Sequence, residues 1–186
     1  MEPATKTPNL HYRRPRLEDG LKIYQLIEQS PPLDLNSSYL YFLQSSHFAD
    51  SCVLAEQDGE LLGFVSGYLR PDKPSELFVW QMVVAQSGRG KGIAKGLIKQ
   101  LLKQVIASSP TSLQSMSCTI SPSNLASQGV FKSLTKSFGL ILSTQPFLTE
   151  AHFSGQEHEA EDYYFLTAPD GQSLFDYLTD FEGDTE

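Results

Sequence analysis

Between residues 78 and 102 the chain reads FVWQMVVAQSGRGKGIAKGLIKQLL, an apolar, β-favouring run that passes through a glycine-rich turn into a long helical pattern. The turn holds Arg89, Gly90, Lys91, Gly92, Ile93 and Ala94 and fits R-x-x-G-x-A, with Gly88 just before it. Glycines let the backbone approach a ligand closely and adopt positive φ. The helix that follows begins with unpaired N–H groups at the positive end of its dipole. A pyrophosphate would satisfy both, and Arg89 and Lys91 would add charge. Two other phosphate motifs fail. A P-loop needs Lys and then Ser or Thr after its last glycine, and Gly92 is followed by Ile93; the dinucleotide pattern G-x-G-x-x-G ends on Lys95 in one register and on Ile93 in the other. A plain strand-to-helix connection is the competing reading of the turn.

The elements that must position this turn follow from periodicity. Residues 1–8 read as a loose leader and 10–14 as a short strand. A helix over 16–29 carries Leu21, Tyr24 and Ile27 on one stripe with Leu26 beside it, has Glu18 and Asp19 in its first turn, and stops at Pro31 and Pro32. Those prolines stiffen the loop that presents Asp34. Asn36 reads as the N-cap of a second helix holding Tyr39, Leu40, Phe42 and Leu43. Strands over 51–56 and 61–69 join at Asp58-Gly59, a hairpin signal. In the strand over 76–84, alternation puts Trp80, Met82 and Val84 on one face and Gln81 and Val83 on the other. The helix over 90–107 buries Ile93, Leu97, Leu101 and Val105 and turns Lys95, Lys99 and Lys103 outward. A strand over 115–120 precedes a helix with Val130, Phe131 and Leu134 inward. Strands over 138–143 and 163–167 flank a long acidic loop, and the tail SLFDYLTDF reads as one more amphipathic turn, docked on a neighbouring subunit.

At 186 residues the chain is expected to be a single domain over 1–186, with an acidic tail from 168. Its 40% hydrophobic content argues against disorder. The net charge is −8, and no Lys or Arg follows Lys136, so no basic face for nucleic acid is expected there. Such a field favours a cationic small substrate, although solubility explains the charge equally well. Cys52 and Cys118 each fall inside an expected strand without metal-ligand spacing, which reads as buried thiols in a reducing compartment and no bound metal. No apolar signal core or membrane-length run is present, so a cytoplasmic protein without membrane association is expected.

Strand, turn and helix together resemble the acetyl-CoA pyrophosphate loop of the Gcn5-related N-acetyltransferases. Four segments narrow the resemblance: PPLDLNSSY at 31–39, FVWQMVV at 78–84, TISPSNLAS at 119–127 and GQEHEAED at 155–162 are similar to, and in the same order as, segments of the L-2,4-diaminobutyrate acetyltransferases of ectoine biosynthesis. The resemblance runs from about Leu10 to Tyr164. It implies an α/β fold, a mixed and mostly antiparallel central sheet flanked by helices, in which the strands over 78–84 and 115–120 splay to admit pantetheine. It implies acetyl transfer from acetyl-CoA to the 4-amino group of L-2,4-diaminobutyrate by direct amine attack, and a homodimer.

The same resemblance distributes roles. Met82 would offer its N–H to the thioester oxyanion and Val84 would pair with pantetheine, with Val83 between them. Arg89, Gly90, Lys91, Gly92, Ile93 and Ala94 would hold the pyrophosphate, and Asn124 would touch the cofactor. Many relatives keep a glutamate base on the central strand where Trp80 stands, and a tyrosine acid where Phe131 stands. Asp34 and the acids of the 157–161 loop, Glu159 foremost, are then the candidate proton acceptors. Asp34, Glu159 and Glu161 suit the substrate's ammonium groups; Thr119 and Asn124 suit its carboxylate; Trp80 would wall the methylene chain or face a cation, and His158 would orient a carboxylate or touch the substrate. Each has a plainer reading: core for Trp80, an edge-strand residue for Thr119, a helix cap for Asn124, and solvated loops for Asp34, His158, Glu159 and Glu161. The alternatives are an acetyltransferase for another small di- or polyamine, or a non-catalytic acetyl-CoA-binding module.

Overall fold

The computed structural model describes residues 9–109, 112–154 and 158–183. Seven strands are hydrogen-bonded in the order β1-β2-β3-β4-β5-β7-β6. They are β1 (Leu10–Arg13), β2 (Cys52–Gln57), β3 (Glu60–Arg70), β4 (Lys73–Val84), β5 (Ser115–Ile120), β6 (Ile141–Leu148) and β7 (Glu161–Thr167). The helices are α1 (Gly20–Glu28), α2 (Ser38–Gln44), α3 (Ile93–Ser108), α4 (Leu125–Phe138) and α5 (Leu174–Gly183). The sheet is mixed: β1–β2, β2–β3, β5–β7 and β6–β7 pair antiparallel, and β4–β5 pairs parallel. The chain divides into two compact units, one running to Ser66 and resuming over Gln81–Ala107, the other comprising Gly67–Trp80 and the chain from Ser108 onward.

In the first unit, Ile23, Ile27, Tyr41, Cys52, Leu54, Phe64 and Val83 form one buried cluster. The helix α1 turns Gly20, Ile23 and Ile27 inward at the spacing of one helical face. Leu21 is therefore 52% exposed rather than part of the stripe, because Ile23 lies about 200° round the helix from it. The second helix starts later than Asn36 suggests: Ser37 is its N-terminal flanking residue and Tyr41 and Gln44 are its buried positions, which leaves Tyr39 69% exposed. The helix α3 buries Ile93, Leu97, Ile98, Leu101, Leu102 and Val105 as expected, each contributing about 2 kcal/mol of gross burial. A glycine at 63 admits it, since a Cβ there would sit 3.0 Å from Leu97 and 3.1 Å from Ile93. Gln104 is buried beside that stripe and donates to the carbonyls of Ala49, Asp50 and Cys52, stapling the entry to β2.

The β1–α1 corner is electrostatic. Asp19 accepts both Arg13 Nη atoms at 2.7 and 2.9 Å and the Arg16 N–H at 2.7 Å, and Arg13 Nε donates to Glu56 at 2.8 Å. Burial alone would raise the Asp19 carboxyl, but these hydrogen bonds and the charge of Arg13 hold it below its ordinary value.

In the second unit, Leu77, Val79, Met116, Cys118, Ile120, Phe131, Leu134, Tyr164, Leu166 and Leu174 are buried. The helix α4 runs to Phe138 and ends on Gly139 at φ 63°, so the sixth strand is Ile141–Leu148 rather than 138–143. The tail forms α5: Ser173 Oγ accepts the Asp176 N–H at 3.0 Å, Phe175 N–H donates to the Leu113 carbonyl at 2.9 Å, and Leu174 is buried within its own chain.

A carboxyl depressed on folding stabilises above its unfolded pKa and loses that contribution as pH falls through its folded value. Wild type is therefore expected to lose stability on acidification below the ordinary 3.8 of an aspartate, and Asp19→Asn to start less stable and show a flatter acid limb in thermal melts from pH 6 to 2.

Candidate active site

The glycine-rich turn lies in the first unit. A single 3-10 turn over Gln86–Gly88 leads into Arg89, and Gly90 and Gly92 both adopt φ 75°. Two left-handed residues cannot belong to a right-handed helix. The helix therefore begins at Ile93 rather than at 90, and residues 89–92 remain a turn at its mouth. Arg89, Gly90, Lys91 and Gly92 are exposed there and Ala94 is half-buried, while the Ile93 side chain is buried and offers a ligand only its main chain. Those first N–H groups suit an anion of pyrophosphate type.

On β4, Val83 packs into the buried cluster, so only its main chain is open to a ligand, whereas Met82 and Val84 on the opposite face are half-buried. Asp34 is exposed on its loop, and its main-chain carbonyl accepts a hydrogen bond from Gln81 Nε2 at 2.8 Å.

The remaining candidates lie in the second unit. Parallel pairing of β4 with β5 is short: Glu76↔Ser115, Leu77↔Met116 and Phe78↔Ser117. On its other side β5 pairs with β7 along its whole length, Ser115 to Ile120. Trp80 is 50% exposed and meets Tyr68 edge-on with ring centres 6.1 Å apart, so it is no core residue. Thr119 is half-buried opposite Tyr163 and shares its face with Glu161 by register. Asn124 caps α4, its Oδ1 accepting the Ser127 N–H at 3.0 Å; a carboxylate would have to be met by the amide nitrogen.

The acidic loop brings three candidates together. His158 stacks on Phe153 with centres 3.9 Å apart and places Nδ1 2.8 Å from the Glu159 carbonyl and Nε2 3.8 Å from Glu161. The Glu159 carboxylate accepts the Ser123 N–H at 3.2 Å, just before α4. Gly155, Gln156 and Glu157 lie outside the described residues.

Sequence reasoning passed over Glu76. This carboxylate is 1% exposed; it accepts Ser117 Oγ at 2.6 Å and the Tyr163 hydroxyl, and it pairs with Arg70 at 3.2 Å and Lys73 at 3.0 Å. Burial pushes it up, but these donors win and hold it below the ordinary glutamate range. A carboxylate so depressed and so fully engaged is a poor proton acceptor, which makes it a structural anion rather than the missing base. The available signal was an acid opening the apolar run ELFVW with Arg70 and Lys73 shortly before it.

Cys118 is no nucleophile either, since burial and then the charge of Glu161 push its thiol up. Phe131 is buried, so the position where many relatives keep a tyrosine acid is core. Among the described residues no group of three or more His, Cys, Asp or Glu is arranged to hold a metal, and no helix is long and apolar enough to cross a membrane. An open cavity of about 330 Å³ beside Lys73, Gln114, Ser115 and Phe165 is lined by none of the candidate residues.

Residues 20–135 match the family model described as the acetyltransferase (GNAT) family. An L-2,4-diaminobutyric acid acetyltransferase of Vibrio cholerae is 47% identical over 154 residues, covering 82% of this chain and 87% of that protein. One of Wolinella succinogenes is 39% identical over 158 residues, covering 85% and 90%. The solved structure of diaminobutyrate acetyltransferase EctA from Paenibacillus lautus, in complex with its substrate L-2,4-diaminobutyric acid and coenzyme A, superposes with a TM-score of 0.81 at 34% identity, covering 87% of this chain and 96% of that one.

Removing Glu76 would leave Arg70 and Tyr163 without their buried partner. Glu76→Ala is expected to cost about 3 kcal/mol in urea unfolding. Asp72→Ala, which removes an exposed partner of the same Arg70, should leave the midpoint where it was.

Proposed function

Because the chain belongs to the acetyltransferase (GNAT) family, and within it to the L-2,4-diaminobutyric acid acetyltransferases, we propose that it transfers acetyl from acetyl-CoA to the 4-amino group of L-2,4-diaminobutyrate. The products are N4-acetyl-L-2,4-diaminobutyrate and CoA. The observation that carries this reading is the likeness to the curated enzymes along most of the chain.

The amine attacks the thioester carbonyl directly: the N–C bond forms, the carbonyl oxygen carries the charge, and collapse breaks the C–S bond and releases the thiolate. The N–H of Met82 steadies the oxyanion, as the family resemblance implies. Val84 and Val83 offer main-chain groups to pantetheine, and the first N–H groups of α3 with Arg89 and Lys91 hold the pyrophosphate. The amine arrives protonated, and Asp34 or Glu159 takes its proton, directly or through water. Both cysteines are buried, and burial pushes the Cys118 thiol up, which supports direct attack over a covalent acetyl-enzyme.

The α-amino and carboxylate groups must be held so that only the 4-amine reaches the thioester. Asp34, Glu159 and Glu161 suit the ammonium groups, the Asn124 amide nitrogen and Thr119 hydroxyl suit the carboxylate, and Trp80 lies along the methylenes. His158, stacked and bonded to the Glu159 carbonyl, keeps that acid in place. The reading extends to a homodimer working in the cytoplasm without nucleic-acid partners.

Steady-state assay with the product identified by NMR is expected to give the N4-acetyl isomer; chiefly N2-acetyl product would overturn the pocket assignment. Asp34→Ala is expected to lower kcat/KM for diaminobutyrate by about 10- to 100-fold, the worth of a charged hydrogen bond, at an unchanged melting temperature. Diamines lacking the α-carboxylate should turn over far more slowly; equal rates would favour a general polyamine enzyme.

A further inference from the structure

Gln81 sits on β4 immediately before Met82, on the opposite face from it. Its Nε2 donates to the Asp34 main-chain carbonyl at 2.8 Å, and its Oε1 accepts from the Tyr41 hydroxyl at 3.4 Å. The same hydroxyl accepts the Asn36 N–H at 3.1 Å. The two main-chain groups flanking Leu35 are thus held by a pair of side chains. Residues 34–37 belong to no helix or strand, so no ladder does this work for them.

The anchor is rigid. Tyr41 is fully buried among Ile23, Ile27, Phe64 and Val83, with Tyr24 edge-on at 6.1 Å. The chemistry also selects glutamine. A carbonyl only accepts, so it must face the amide nitrogen, and the tyrosine proton must then find the amide oxygen. Glutamate can serve the tyrosine but cannot donate to Asp34; leucine can do neither.

We propose that Gln81 is a positioning residue for the diamine substrate: it fixes the height of Asp34 against the strand that carries the Met82 N–H. Substrate amine and polarised carbonyl are thereby kept in register through one side chain. This rests on the assignment of Asp34 to the substrate made above. A group acting only through Asp34 changes capture of the diamine, not of acetyl-CoA, and has nothing to act through once the Asp34 carboxylate is gone.

The test is a kinetic cycle on the full chain. Gln81→Leu is expected to raise KM for diaminobutyrate about tenfold, and Tyr41→Phe about threefold, with KM for acetyl-CoA unchanged. In an Asp34→Ala background Gln81→Leu should add no further loss. Gln81→Glu, which keeps length and acceptor, carries the same test if the leucine variant does not fold. Unchanged KM for diaminobutyrate in the Gln81 variants, an equal rise for acetyl-CoA, or an additive loss in the double variant overturns the inference. If Asp34→Ala alone leaves turnover intact, the Asp34 assignment falls and this inference with it; if Asp34→Ala is impaired and the Gln81 variants are not, this inference falls alone.

Discussion

A carboxylate removed from water must have its lone pairs met by donors. Glu76 imposes that condition on the second unit. Its donors come from separate places in the chain: Arg70 at the end of β3, Lys73 at the start of β4, Ser117 on β5 and Tyr163 on β7. They converge only in one strand register, and a slip of one residue would turn the donors to the other face. Because β4 and β5 share just three backbone pairings, this buried charge supplies a specificity that so short a ladder lacks. Trp80, four residues beyond Glu76 on the same strand, and Thr119, two beyond Ser117, inherit their facing from it.

The first unit meets a different constraint. A helix mouth that is to receive a ligand must be kept clear of its own chain. Positive φ at Gly90 and Gly92 delays α3 to Ile93, and the buried stripe from Ile93 to Val105 then fixes the direction in which that mouth points. The turn is open while its foundation is not: the same Ile93 that presents a main-chain N–H buries its side chain completely.

Much of this was legible in the sequence because periodic signals are strong. The hairpin rests on its Asp58-Gly59 turn, the α3 stripe and the alternation of β4 on repeated apolar spacing, and all three appear as read. Two of the failures share a cause, competition between nearby residues of similar type. Ile23 displaced Leu21 from the α1 stripe, and Tyr41 rather than Tyr39 anchored α2, because which apolar residue wins depends on what packs opposite. Phe138 closed a helix because Gly139 could end it in the left-handed region. At the candidate site, residue types were readable, but partners far apart in sequence were not: nothing local pairs Glu76 with Tyr163 or Gln81 with Asp34. Asn124 kept the capping role that its position suggested, which narrows what its amide can do for a ligand.

Trp80 is the sole tryptophan of the chain, half exposed and edge-on to Tyr68. An indole in contact with solvent emits at longer wavelength than a buried one, and excited tyrosines nearby pass energy to it. The ultraviolet emission of this protein is therefore no average over its fold. It is a readout of one patch of one strand face, and it makes the native chain its own label for whatever comes to rest there.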